Sequence, residues 1–198
     1  MRTVLSALAV LVILGLPTTA AAVPVTLTFD ELERFDSESI TTQYGPLVTF
    51  EFAQISTYGV SLDPFENPLP VSGENVLSDF GGFMRLVFSA PVISFSGFFN
   101  YGGPLSIMAF RNSDPDTAVA TAQSLFASNL ASSLNDAPNE QIMLEGMFDG
   151  ILISAADFGG FTIDNLTFDI AAVPEPGTFA LMLLGGTGLL LRRRRRTR

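Results

Sequence analysis

The sequence predicts an all-β protein: a two-sheet antiparallel β-sandwich, jelly-roll-like, flanked by an N-terminal signal peptide and a C-terminal transmembrane helix. Three observations carry this. Between Val23 and Ala172 apolar and polar residues repeatedly alternate with period two, as they do in strands buried on one face. Turn-forming Gly, Pro, Asn and Asp residues separate these stretches at short intervals. The same segment holds all but one of the 18 phenylalanines, ample filling for the space between two sheets. At about 150 residues it buries roughly 70% of the unfolded chain's surface, so packing alone sustains a core.

The strands follow in order. Val25, Leu27 and Phe29 alternate with threonines; Val48, Phe50 and Phe52 alternate with Thr49 and Glu51; Ile93 and Phe95 alternate with Ser94 and Ser96. Further strands are expected over Met84 to Ser89, Ser106 to Arg111, Gln141 to Phe148, Ile151 to Ala155 and Phe161 to Ile170. Asp149-Gly150 stands between two of them and reads as a tight hairpin turn, whose central residues need positive φ. Asp116 to Leu134 suits a helix by its alanines and an exposed strand by its threonines and serines; strand is the reading adopted. In the last strand the apolar phase slips, since Phe161 and Ile163 are odd-numbered and Leu166, Phe168 and Ile170 even. A bulge at Asp164-Asn165 absorbs such a slip.

Composition removes many chemistries. All ten basic residues are arginines, and there is no Lys, His, Cys or Trp. Disulfide scaffolds, His- or Cys-based metal sites, Cys or Lys nucleophiles and Ser-His-Asp triads are thereby excluded. The body carries 19 of the 20 acids but only three basic residues, Arg34, Arg85 and Arg111, for a net charge of −16. Such a surface repels phosphate backbones, so nucleic acid is not an expected partner.

The ends read as addresses. Arg2, the apolar run Val4 to Leu16, Pro17 and the small residues Thr18 to Ala22 have the layout of a secretory signal peptide. The apolar run is shorter than the ~20 residues of an ordinary membrane span, and cleavage is expected after Ala22, or else Ala20. Its partners are then the Sec machinery and signal peptidase. At the other end, Val173-Pro174-Glu175-Pro176-Gly177-Thr178 cannot continue a regular element, so it is exposed, extended peptide suited to a protease. Phe179 to Leu191 then make a helix of ~20 Å against a hydrocarbon core of ~30 Å, a marginal span aided by snorkelling arginines. Arg192, Arg193, Arg194, Arg195 and Arg196 stay cytoplasmic and hold the body outside. A plain tail anchor explains the helix and arginines but leaves Pro-Glu-Pro unused.

These parts, the motif at Pro174, Glu175 and Pro176, the helix at 179–191 and the basic end at 192–198, resemble the PEP-CTERM sorting signal of Gram-negative, exopolysaccharide-producing bacteria. The resemblance implies recognition by an exosortase, a membrane-embedded transpeptidase-like cysteine protease, with cleavage near the motif and delivery outward. The domain plan is then signal peptide 1–22, sandwich body 23–172 and sorting signal 173–198. Phe29-Asp30-Glu31-Leu32, Pro138-Asn139-Glu140 and Phe161 to Phe168 are similar to the uncharacterised sandwich bodies that accompany this tail, which supports the fold and assigns no activity.

Candidate sites in the body are sparse. If first and last strands are neighbours, Asp30 and Glu31 approach the bulge, and with Asp164 and Asn165 they offer oxygens to a structural Ca²⁺, which takes six to eight such ligands. Solvated strand-end acids are the plainer alternative. The loop acids Asp63, Glu66, Asp114 and Asp116 lie among prolines and do not match an EF-hand. Glycoside hydrolysis needs only a carboxylate pair, and no motif singles one out. Tyr101, beside Asn100 and Gly102-Gly103, is the candidate ligand-stacking aromatic. The functional expectation is an exported surface or extracellular-matrix protein, structural, adhesive or exopolysaccharide-binding; the alternative is a hydrolase acting on that polysaccharide.

Overall fold

A computed structural model describes residues 22–32, 38–130, 138–156 and 160–171 of the chain. Residues 1–21 and the sorting signal, including the 179–191 segment, fall outside that set, and among the described residues no helix is long and apolar enough to cross a membrane. The described strands are β1 (Val23–Leu27), β2 (Glu38–Ile40), β3 (Val48–Glu51), β4 (Ala53–Thr57), β5 (Asn75–Asp79), β6 (Phe83–Tyr101), β7 (Leu105–Arg111), β8 (Asp114–Gln123), β9 (Glu140–Ala155) and β10 (Phe161–Ile170). Residues Val23–Ala171 make one compact unit.

The antiparallel all-β sandwich expected from the alternation is present. Its layers are joined into one hydrogen-bonded sheet of order β2-β4-β5-β10-β6-β9-β7-β8, with β1 on β10 and β3 on β6. The junction is β6, 19 residues long. Its first half pairs with β3 through Arg85 to Phe88 and its second half with β10 through Val92 to Tyr101. Between them the β6–β9 ladder shifts register from Val87 to Val92, around Pro91, which has no N–H to give the ladder. The bend brings Phe88 onto Phe168 of β10 at 4.9 Å between ring centroids. Phe88, from the first half of β6, thus joins the same core as Phe95 and Phe99 of its second half. Phe29, Tyr44 and Phe50 extend it edge-to-face at 5.7 to 6.4 Å, a geometry that adds to area burial.

Several boundaries differ from the sequence reading. Met84 to Ser89 and Ile93 to Ser96 belong to the single strand β6. The 116–134 segment is strand only to Gln123, and residues 131–137 lie outside the described set. Phe29 and Phe52 have φ of 67° and 59°, so they leave their strands instead of continuing the alternation. That conformation costs a non-glycine residue roughly 1–2 kcal/mol. At position 52 it separates β3 from β4.

Asp149-Gly150 is not a turn: β9 runs straight through it. Gly150 pairs with Phe110 of β7, and a Cβ placed there would meet the Phe110 ring at 2.3 Å. The glycine therefore serves close packing rather than positive φ. The Arg85 guanidinium stands 5.4 Å from the centroid of the same ring and pairs with Glu51 at 3.2 Å. Gly150→Ala should overpack this contact and cost about 1–3 kcal/mol. Urea denaturation would measure it, and in the Phe110→Ala background most of that penalty should vanish; an undiminished penalty would place the strain elsewhere.

Candidate functional site

The bulge anticipated from the phase slip is real. The β10–β6 register shifts between Asp164 and Thr167, and Asn165 has φ 48°. β1 lies beside β10, with Leu27 opposite Leu166, so the chain leaving β1 delivers Asp30 to the same corner. The loop entering β5 threads between them. Ser72 N–H donates to Asp164 Oδ2 at 2.8 Å, and Asn165 N–H donates to Asp164 Oδ1 at 2.7 Å. Glu74 and Asn75 N–H groups donate to Asp30 Oδ1 at 3.1 and 3.2 Å. The Ser72 hydroxyl is 2.8 Å from Asn165 Oδ1 and 3.3 Å from a carboxylate oxygen of Asp30 and of Asp164. Gly73, at φ +48°, must lack a Cβ because that atom would lie 1.9 Å from Asp30 Oδ1.

Three of the four proposed calcium ligands, Asp30, Asp164 and Asn165, are thus brought together. Glu31 is not: its carboxylate accepts from Thr28 Oγ1 at 3.2 Å and is exposed. The converging oxygens already accept backbone N–H groups or the Ser72 hydroxyl, the arrangement of a polar staple. Among the described residues no group of three or more Asp, Glu, His or Cys is placed to hold a metal ion. Asp164 is 2% exposed, and burial pushes its carboxyl above the ordinary 3.8 while the N–H donors of Ser72 and Asn165 oppose the shift.

Tyr101 is corrected as a ligand platform. It ends β6 rather than sitting in a loop, and its side chain is fully buried. Its phenol donates to Glu140 Oε2, and burial, followed by the Glu140 contact, pushes it up to about 12. Glu140 also accepts from Leu125 N–H at 3.0 Å, so this pair pins the segment after β8. The ring has no free face for a sugar. Asp63 accepts from Phe65 N–H at 2.9 Å and closes a turn, as its neighbouring prolines suggest.

A third locus was missed from sequence. Gln54, Ser78, Thr162 and Asn100 lie opposite one another on β4, β5, β10 and β6. Directly opposed residues share a face, so they form one polar row. The neighbouring row, Ile55, Leu77, Ile163 and Phe99, faces the other way and is wholly buried in the core. A cleft of about 260 Å³ opens over the polar row, with Ser61, Leu62 and Asn67 on one side and Leu130 and Gly102 on another. Asp79 lines it too, and both its oxygens are taken at 2.6 Å by the N–H groups of Gly82 and Phe161. Asn100 exchanges hydrogen bonds with Asn139 at 2.7 and 2.8 Å. The Ser78 hydroxyl, in a residue 5% exposed, finds no hydrogen-bond partner among the described residues.

The fold and the C-terminal address define an exported all-β surface protein. More particularly, the family model described as the PEP-CTERM protein-sorting motif matches residues 172–196. The chain carries that motif, which marks proteins exported with a membrane-anchored C-terminus and processed by exosortase to the cell surface. No curated protein matches the chain. Among solved structures it is similar to a family 29 carbohydrate-binding module complexed with cellohexaose, at 12% identity, TM-score 0.40, and coverage of 75% of this chain and 91% of that one. It is likewise similar to a mutant family 29 module, at 14% identity and TM-score 0.40, over 79% of this chain and all of that one. Superpositions this loose transfer neither ligand nor residue role.

Asp164 gives a pH signature. A carboxyl whose folded value is raised binds its proton in the native state before the unfolded chain does, so acidification favours folding until both forms are protonated. Relative to Asp164→Asn, the wild-type chain should gain stability as pH falls from neutral towards 3.8. Parallel urea midpoints for the two chains across that range would contradict the burial argument.

Proposed function

We propose that this chain is a non-catalytic surface or extracellular-matrix protein: a Sec-exported β-sandwich, held transiently in the inner membrane by residues 179–191, released near Pro174-Glu175-Pro176, and acting structurally or adhesively through contact with exopolysaccharide. The match at residues 172–196 carries the reading. Residues 1–22 are its cleaved signal peptide and Arg192 to Arg196 its cytoplasmic stop.

The chemistry of the body supports a passive role. The acids that the fold buries or shields are engaged in holding it: Asp30 and Asp164 at the bulge, Asp79 at the start of β10, and Glu140 against Tyr101. Among the described residues the polar cleft is lined by one carboxylate, Asp79, whereas glycoside hydrolysis needs two at a set separation. A charge of −16 over the body favours neutral or cationic partners over acidic ones.

Two measurements test this. Intact mass of the protein from its native host should show both ends removed, and Glu175→Ala should leave the chain with its arginines attached; normal maturation of that variant would sink the sorting claim. On a glycan array the protein should bind without turnover. Released product would instead make it a hydrolase.

A further inference from the structure

We infer that the cleft over β4, β5, β10 and β6 is the glycan-binding site, and that it takes a single unit of a neutral, polyhydroxylated chain. This rests on the glycan-binding reading above and assigns it a face and a ligand class.

Gln54, Ser78, Thr162 and Asn100 stand in register across four strands. Asn100 is engaged by Asn139, but on a sheet face turned from the core nothing in folding requires Gln54, Ser78 and Thr162 side by side. Ser56, 2% exposed, adds another hydroxyl to the lining. Such groups both donate and accept, which suits a ligand whose every hydroxyl does the same.

Burying a hydroxyl without a partner costs on the order of 1–3 kcal/mol by mutational measures, and native proteins rarely leave one so. The Ser78 hydroxyl is such a group, and the residue that carries it lines the cleft. A bound hydroxyl would supply the missing partner. Ser78 is also held rigidly, being paired through its backbone with Gln54 on one side and Thr162 on the other, so the site is preorganised.

Size and charge narrow the ligand. About 260 Å³ falls below the ~300–1,000 Å³ of pockets for drug-sized molecules, room for one ring rather than a buried oligomer. Among the described residues no arginine lines the cleft, so an acidic sugar finds no counter-charge there in a body of charge −16. Asp79 has both oxygens occupied by N–H donors and makes no demand for a cation. A neutral sugar unit fits these conditions; a uronate or a phosphorylated one does not.

The test uses the full-length chain in micelles of a detergent without a sugar headgroup, titrated calorimetrically. The probes are neutral oligosaccharides of hexose, pentose and N-acetylhexosamine units, with oligogalacturonate as the acidic control. At least one neutral probe should bind, and oligogalacturonate should not. Ser78→Ala and Thr162→Val should each weaken that binding about tenfold. Ser78→Ala should leave the melting temperature unchanged or raised, because it deletes an unpartnered buried hydroxyl. Ser106→Ala, in the separate cavity between Pro104 and Ala156, should bind as wild type does. Undiminished binding by Ser78→Ala and Thr162→Val would overturn the cleft while sparing the glycan-binding reading. Binding of oligogalacturonate alone would overturn the ligand class, and no binding to any probe would overturn both the cleft and the reading it rests on.

Discussion

Strand β10 must bury Phe161 and Ile163 in one half and Leu166 and Phe168 in the other, although two-residue periodicity cannot place both sets on one face. A single inserted residue at Asp164-Asn165 resolves the conflict, and the rest of the body is arranged to keep that insertion in place. Ser72 enters from the β5 side, Asp30 arrives from β1, and Asp164 accepts hydrogen bonds while almost wholly removed from water. Because β10 touches β1, β5 and β6, losing the bulge would misdirect three neighbours at once. Burying the carboxylate is the cost of that arrangement, offset by two charge-assisted N–H bonds of the kind that exceed neutral ones in strength.

The same strand links architecture to the proposed site. On one side of the bulge, Thr162 continues the polar row from Ser78 to Asn100 while Ile163 continues the apolar row beneath it. The cleft floor and the core are therefore two faces of one set of backbone ladders, and neither row shifts without moving the other. This gives the Ser78 and Thr162 hydroxyls fixed positions without a loop having to supply them.

Much of this was legible where burial is one-sided. The alternation in β3, β6, β7 and the two phases of β10 identified strands, and the phase slip located the bulge to the residue. β4 and β5 escaped because Ala53 to Thr57 and Asn75 to Asp79 are buried almost throughout, one face in the core and the other at the floor of the cleft, so no alternation appears. Asp149-Gly150 misled because one dipeptide serves two needs, positive φ in a turn and a missing Cβ under an aromatic ring; only the Phe110 partner distinguishes them. Tyr101 read as a loop residue from its glycine neighbours, while the group that buries it, Glu140, is 39 positions away. The staple was half visible: Asp30 and Asp164 advertise themselves as acids, but Ser72 is 92 positions from Asp164 and carries no local signature. The polar row exists only once register is known.

The outermost strands bear on how copies behave when crowded outside the cell. β2 offers just three residues, and β8, exposed along most of its length, opens with Pro115 between Asp114 and Asp116. Proline withholds a donor and the paired negative charges repel their counterparts on an approaching molecule. Brevity at one margin and proline with paired charge at the other each weaken it as a template for strand addition between crowded copies.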